Sequence, residues 1–119
     1  MSVPVEAGHA LASPRGRISI SSRAVAQIVG HTAAECYGVV GMNGRRVGRL
    51  LARDETQGIE VKGTPGGLHV VLHVVVEHGL NLAEVASTVR SRVTYEVERL
   101  TGLTVAAVEV HIADVRSSA

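Results

Sequence analysis

The chain has 119 residues, a length that fits one domain and leaves no room for a second of ordinary size. Its formal net charge of +1 excludes the strong general field that draws a protein onto nucleic acid or an anionic membrane. Cys36 is the single cysteine, so no intramolecular disulfide can form, and a free thiol suits a reducing cytoplasm.

With 45% hydrophobic residues there is ample material for a core, but Phe and Trp are absent and Tyr37 and Tyr95 are the only aromatic residues. Packing therefore falls to Val, Leu, Ile and Ala. The stiff, branched valine side chain favours pleated surfaces, so a sheet is expected. Residues 1–16 mix Pro4, Gly8, Pro14 and Gly16 with small residues and show no periodicity, which predicts a flexible tail. They hold no apolar run flanked by basic residues, and nowhere do ~18 apolar residues follow one another. Neither a secretion signal nor a transmembrane segment is expected. A single folded unit over residues 17–116 is predicted, with 117–119 a flexible C-terminus.

Arg17-Ile18-Ser19-Ile20-Ser21 alternates polar and apolar, the pattern of a short half-buried strand, and Ser21 and Ser22 can cap a helix that follows. Val25, Ile28, Val29, Thr32, Ala33 and Cys36 share one face of that helix, with Gly38 predicted to end it. Residues 43–57 are rich in Arg, Gly and acidic residues and read as an exposed connection. Ile59 to Lys62 and Leu68 to Glu77 are predicted strands joined by Gly63-Thr64-Pro65-Gly66-Gly67, a hairpin.

In the longer strand Leu68, Val70, Leu72, Val74 and Val76 occupy one face, and His69, Val71, His73, Val75 and Glu77 the other. Asn81-Leu82-Ala83-Glu84 opens a second helix whose stripe runs from Leu82 through Val89 and Val93 to Leu100, with Gly102 closing it. A last strand, Thr104 to Val115, buries Val108, Val110 and Ile112 and turns Glu109 and His111 away. The order β-α-β-β-α-β predicts an α+β, two-layer domain with two helices packed on one face of a mostly antiparallel sheet.

The second sheet face is then left open, with Val71, Val75 and Ala113 as an apolar centre among His69, His73, His111 and acidic residues. Such a surface, together with two edge strands, predicts a homo-oligomer. Charges placed at Val71 and Val75 are expected to dissociate it without unfolding the monomer. Imidazoles ordinarily titrate near 6.5, so mutual repulsion among the three histidines is expected to weaken assembly below about pH 6.

Metal binding by the histidines is disfavoured, because residues four apart on a strand lie about 13 Å apart. No metal and no other cofactor is expected. His31 and Glu35, four apart on a helix, read as surface stabilisation, and Cys36, with no activating base in view, as a small buried hydrophobe. Gly63-Thr64-Pro65-Gly66 and Gly38-Val39-Val40-Gly41 match the GXXG pattern of an RNA-binding loop. The first joins strands, the second carries valines at its centre, and no aromatic platform exists, so nucleic acid is not expected as a partner. Arg45, Arg46, Arg49 and Arg53 remain as a second candidate surface, for an anionic headgroup, RNA or an acidic protein.

Several segments, taken in order, resemble the bacterial alkaline shock protein family. They are Gly16-Arg17-Ile18-Ser19-Ile20, Cys36-Tyr37-Gly38-Val39-Val40-Gly41-Met42, Gly58-Ile59-Glu60-Val61, His78-Gly79 after the long strand, and Ala83-Glu84-Val85-Ala86. Val97-Glu98-Arg99-Leu100-Thr101-Gly102-Leu103 and Val108-Glu109-Val110-His111-Ile112 complete the set. The resemblance covers nearly the whole chain and departs at Arg45-Arg46-Val47-Gly48-Arg49. It implies a cytoplasmic, non-enzymatic protein that supports envelope homeostasis under stress and is held near the membrane by an anchored partner protein. It carries no catalytic residue onto this sequence.

Overall fold

The longest alternating run of the sequence becomes the spine of the fold. The computed structural model describes residues 9–13, 16–42 and 58–117. Its elements run β1 (His9–Ser13), β2 (Gly16–Ile20), α1 (Ser22–Ala34), β3 (Val39–Met42), β4 (Ile59–Thr64), β5 (Gly67–Glu77), α2 (Leu82–Thr101) and β6 (Val105–Arg116). One side of β5 carries β4 and β3 end to end, both antiparallel: β4 pairs along Gly67 to Leu72 and β3 along Val74 to Val76. The other side carries β6 alone, in parallel along nearly its whole length. The result is an open α+β sheet with two helices, as the order of elements predicts.

Both helices pack on the face of β5 that holds Leu68, Val70, Leu72, Val74 and Val76, none more than 2% exposed. Val25, Val29 and Ala33 of α1 and Val85, Val89, Val93 and Val97 of α2 join that core, with Val61 of β4 and Val108 of β6 beside them. The α2 stripe is narrower than its sequence suggests. Residues four apart drift round a helix of 3.6 residues per turn, so Leu82 and Leu100 at its two ends are 38% and 55% exposed.

The ends of α2 follow local chemistry. Asn81 Oδ1 accepts from the Glu84 amide at 3.0 Å, and Gly102 takes the left-handed conformation, φ 75°, donating to the Glu98 carbonyl at 2.9 Å. Strands β4 and β5 reach further into their turn than expected. Gly67 sits at φ 129°, and a Cβ there would meet the Thr104 carbonyl oxygen at 2.6 Å, so this position admits only glycine.

Three local expectations are corrected. Helix α1 ends at a Glu35 cap, short of Gly38, because Gly38 with φ 91° belongs to the turn into β3, where Leu80 and Val85 crowd its α-carbon. Val39–Met42, to which no element was given, is a sheet strand, while the predicted first strand pairs outside that sheet. Its partner is β1, with Leu11 opposite Ile18 and His9 opposite Ile20. His9–Ser13, expected within the tail, thus forms a strand: pairing between two short segments depends on their mutual register, which periodicity within one of them does not reveal.

Candidate functional site

The parallel β5–β6 register sets Val71 beside Glu109 and His73 beside His111 on the face away from the helices. Antiparallel β4 adds Glu60 opposite Val71 and Lys62 opposite His69 on the same face. Because β6 lies at the border of the sheet, its outward side chains keep about half their surface in solvent: 50% for Glu109 and 51% for His111.

Glu109 is the centre of this face. His69 Nε2 donates to Glu109 Oε2 at 2.8 Å and His111 Nε2 to Oε1 at 3.2 Å, so one carboxylate accepts from two imidazoles on two strands. These bonds, that from His69 first, hold the Glu109 carboxyl below its ordinary pKa, since both favour the charged form. His73 stacks on His111 with ring centroids 4.9 Å apart and 16° between planes, and its Nδ1 lies 3.3 Å from the Gly58 carbonyl oxygen. The Gly58 carbonyl also accepts the His73 amide at 2.9 Å, tying the start of β4 to the middle of β5.

The structure therefore brings His69, His73 and His111 together, as alternation along two strands predicts. It also revises what they do to one another. The three imidazoles do not simply face one another, because Glu109 lies between two of them, while His73 stacks on His111. Alternation placed Glu109 on this face, but its bridging role depends on which β6 residue lies beside Val71, a register only the fold supplies.

Val75 is corrected outright. It lies on the same side of β5 as Val71 but is 1% exposed and opposes Gly41 of β3, so it offers nothing to a partner. Val71 remains half-buried at the centre of the face. Arg45, Arg46, Arg49 and Arg53 lie outside the described residues.

The hydrogen bonds of these imidazoles run to a carboxylate and a main-chain carbonyl. Among the described residues, no group of three His, Cys, Asp or Glu side chains is gathered so as to hold a metal ion. Cys36 is buried, its Sγ 3.5 Å from the Thr32 carbonyl, and burial pushes its pKa up, the opposite of what a nucleophile needs. His31 pairs with Glu35 at 3.2 Å on an exposed helix surface, where Arg92 also approaches Glu35 at 3.9 Å.

A second feature lies on the helix side. An open groove of about 570 Å³ runs between α1 and α2, floored by Ile28 and Leu100 and flanked by His31, Glu35, Arg92 and Glu96. The exposure of Leu100 could not be read from the stripe, which counts it as core. Among the described residues no helix is long and apolar enough to cross a membrane.

Comparison with known proteins places this architecture. An uncharacterized protein of Bacillus subtilis (strain 168), YloU, is 30% identical over 107 residues, covering 85% of this chain and 89% of the relative. An uncharacterized protein of Streptococcus pyogenes serotype M6 is 31% identical over 107 residues, covering 85% of this chain and 88% of its own length. No solved structure matches the chain. The model of the alkaline shock protein 23 family, described by a cell envelope-related function, matches residues 10–117, from the first β-hairpin to the end of β6. The chain belongs to the alkaline shock protein 23 family.

Proposed function

We propose that this protein is a non-enzymatic interaction module of the bacterial envelope stress response, working in the cytoplasm close to the membrane through a membrane-anchored partner protein and through self-association. The observation that carries the reading is the family match over residues 10–117, whose description is envelope-related. The surface chemistry supports it. The two grouped features, a polar sheet face centred on Glu109 and a groove floored by Ile28 and Leu100, are of the mixed polar and apolar kind that proteins recognise.

The test is a pull-down with the tagged protein from cells whose membranes are retained and then solubilised. Enrichment of one membrane-anchored protein, lost on Leu100→Glu or on Glu109→Lys, is the expected result. Recovery of RNA in its place, with affinity falling steeply as salt rises, would transfer the function to the arginines at 45–53.

A further inference from the structure

The two borders of the sheet are built differently. On one, pairing with β5 is divided between two short strands, β3 and β4; on the other, β6 is continuous over twelve residues and, among the described residues, pairs with β5 alone. Short border strands are a common protection against pairing with another chain, and β6 lacks that protection. Its Val110 and Ile112 face the helix side yet stay only half-buried, because no further strand flanks them.

We propose that β6 is a self-recognition strand, which pairs antiparallel with β6 of a second copy about a two-fold axis at Val110. This deepens the self-association in the reading above and rests on it. The register follows from the residues. With the axis at Val110, Glu109 lies opposite the partner's His111 and Val108 opposite the partner's Ile112, each pairing occurring twice. A carboxylate and an imidazole, or two apolar groups, then meet at each step. Moving the axis one residue along the strand sets Glu109 against Glu109 or His111 against His111, like against like. Placing it between residues sets helix-side groups against open-face groups.

The local shape of β6 limits the pairing to this stretch. Against β5 its register slips at Ala106 and again at Ala113, leaving Ala107 to Ile112 as the regular run, with Val110 inside it. A bulge disturbs the ladder locally, so the regular part of the contact is expected between these two. A two-fold pairing uses both free β6 borders and, among the described residues of the four-stranded sheet, leaves the divided β3/β4 border outside. The product is a closed dimer with one sheet running through both copies, not an open-ended fibre.

The experiment uses single cysteines in a Cys36→Ala background. Opposed residues of an antiparallel pair have α-carbons about 4.5–5.5 Å apart, within disulfide reach. The full chain is expected to scatter light as a dimer at micromolar concentration. Under mild oxidation Val110→Cys should form a covalent dimer in most of the protein, whereas Glu109→Cys and His111→Cys should each stay largely uncrosslinked alone and crosslink when mixed. The mixed pair is exposed, so it remains informative if Val110→Cys folds poorly. His111→Glu should weaken the dimer tenfold or more, and Glu109→His added to it should restore association. A monomer at every concentration would overturn the proposal. So would a dimer in which neither Val110→Cys nor the mixture crosslinks, or one in which Glu109→Cys or His111→Cys links with itself. Partner capture in the pull-down would survive each of these results, so the two readings fail separately.

Discussion

The two faces of β5 both carry valines, and those valines have different fates. On the helix side five apolar side chains lie beneath α1 and α2 and lose nearly all contact with water. On the other side His69, Val71 and His73 keep part of their surface, and polar groups on β4 and β6 gather round them, while Val75 at the same side is closed off beside Gly41. A valine's energetic role is thus set by what covers it, and burial of one such side chain contributes roughly 1.5–3 kcal/mol.

The largest break in this comparison is expected from the covering layer. Val93→Asp places a carboxylate, without a partner, at a fully buried position of α2 and should cost several kcal/mol against a total stability of roughly 5–15 kcal/mol. Loss of the cooperative melting transition is the predicted outcome; a native transition would mean that the wrong face of α2 has been assigned to the core.

Next comes the pair Val75→Asp and Val71→Asp, which lie on one side of one strand. The first should unfold the domain or lower its stability by more than about 3 kcal/mol, and the second should leave the fold intact. Equal effects in chemical denaturation would erase the distinction drawn between them. A gentler version uses truncation. Val70→Ala opens a cavity beneath the helices and should cost about 2 kcal/mol, whereas Val71→Ala should cost within about 0.5 kcal/mol. Denaturation midpoints of the two variants at constant m-value measure the difference.

The smallest effect concerns the open face alone. The folded Glu109 carboxyl titrates below its ordinary 4.5, so its contribution to stability is fully present above that pH and is lost as pH falls through the lower folded value. Glu109→Gln should remove this part of the acid dependence and leave the helix-side core untouched. Superimposable stability curves of the two proteins below pH 4.5 would show that the bonds from His69 and His111 do not favour the folded state.

Much of this protein is determined by short-range pattern. Period-two alternation from Leu68 to Glu77 identifies both faces of β5, Asn81 and Gly102 mark the ends of α2 through backbone groups a few residues away, and the valines between them carry its buried stripe. These signals are local because capping and alternation involve neighbours in the chain. The tertiary structure decides the rest. It pairs β2 with β1, brings Val39–Met42 into the sheet, sets Glu109 between His69 and His111, and buries Val75 while Leu100 stays in solvent. Each of these outcomes depends on the register or covering of segments distant in sequence. The alternation inside a strand is the same for every register that keeps its faces, so it cannot choose among partners.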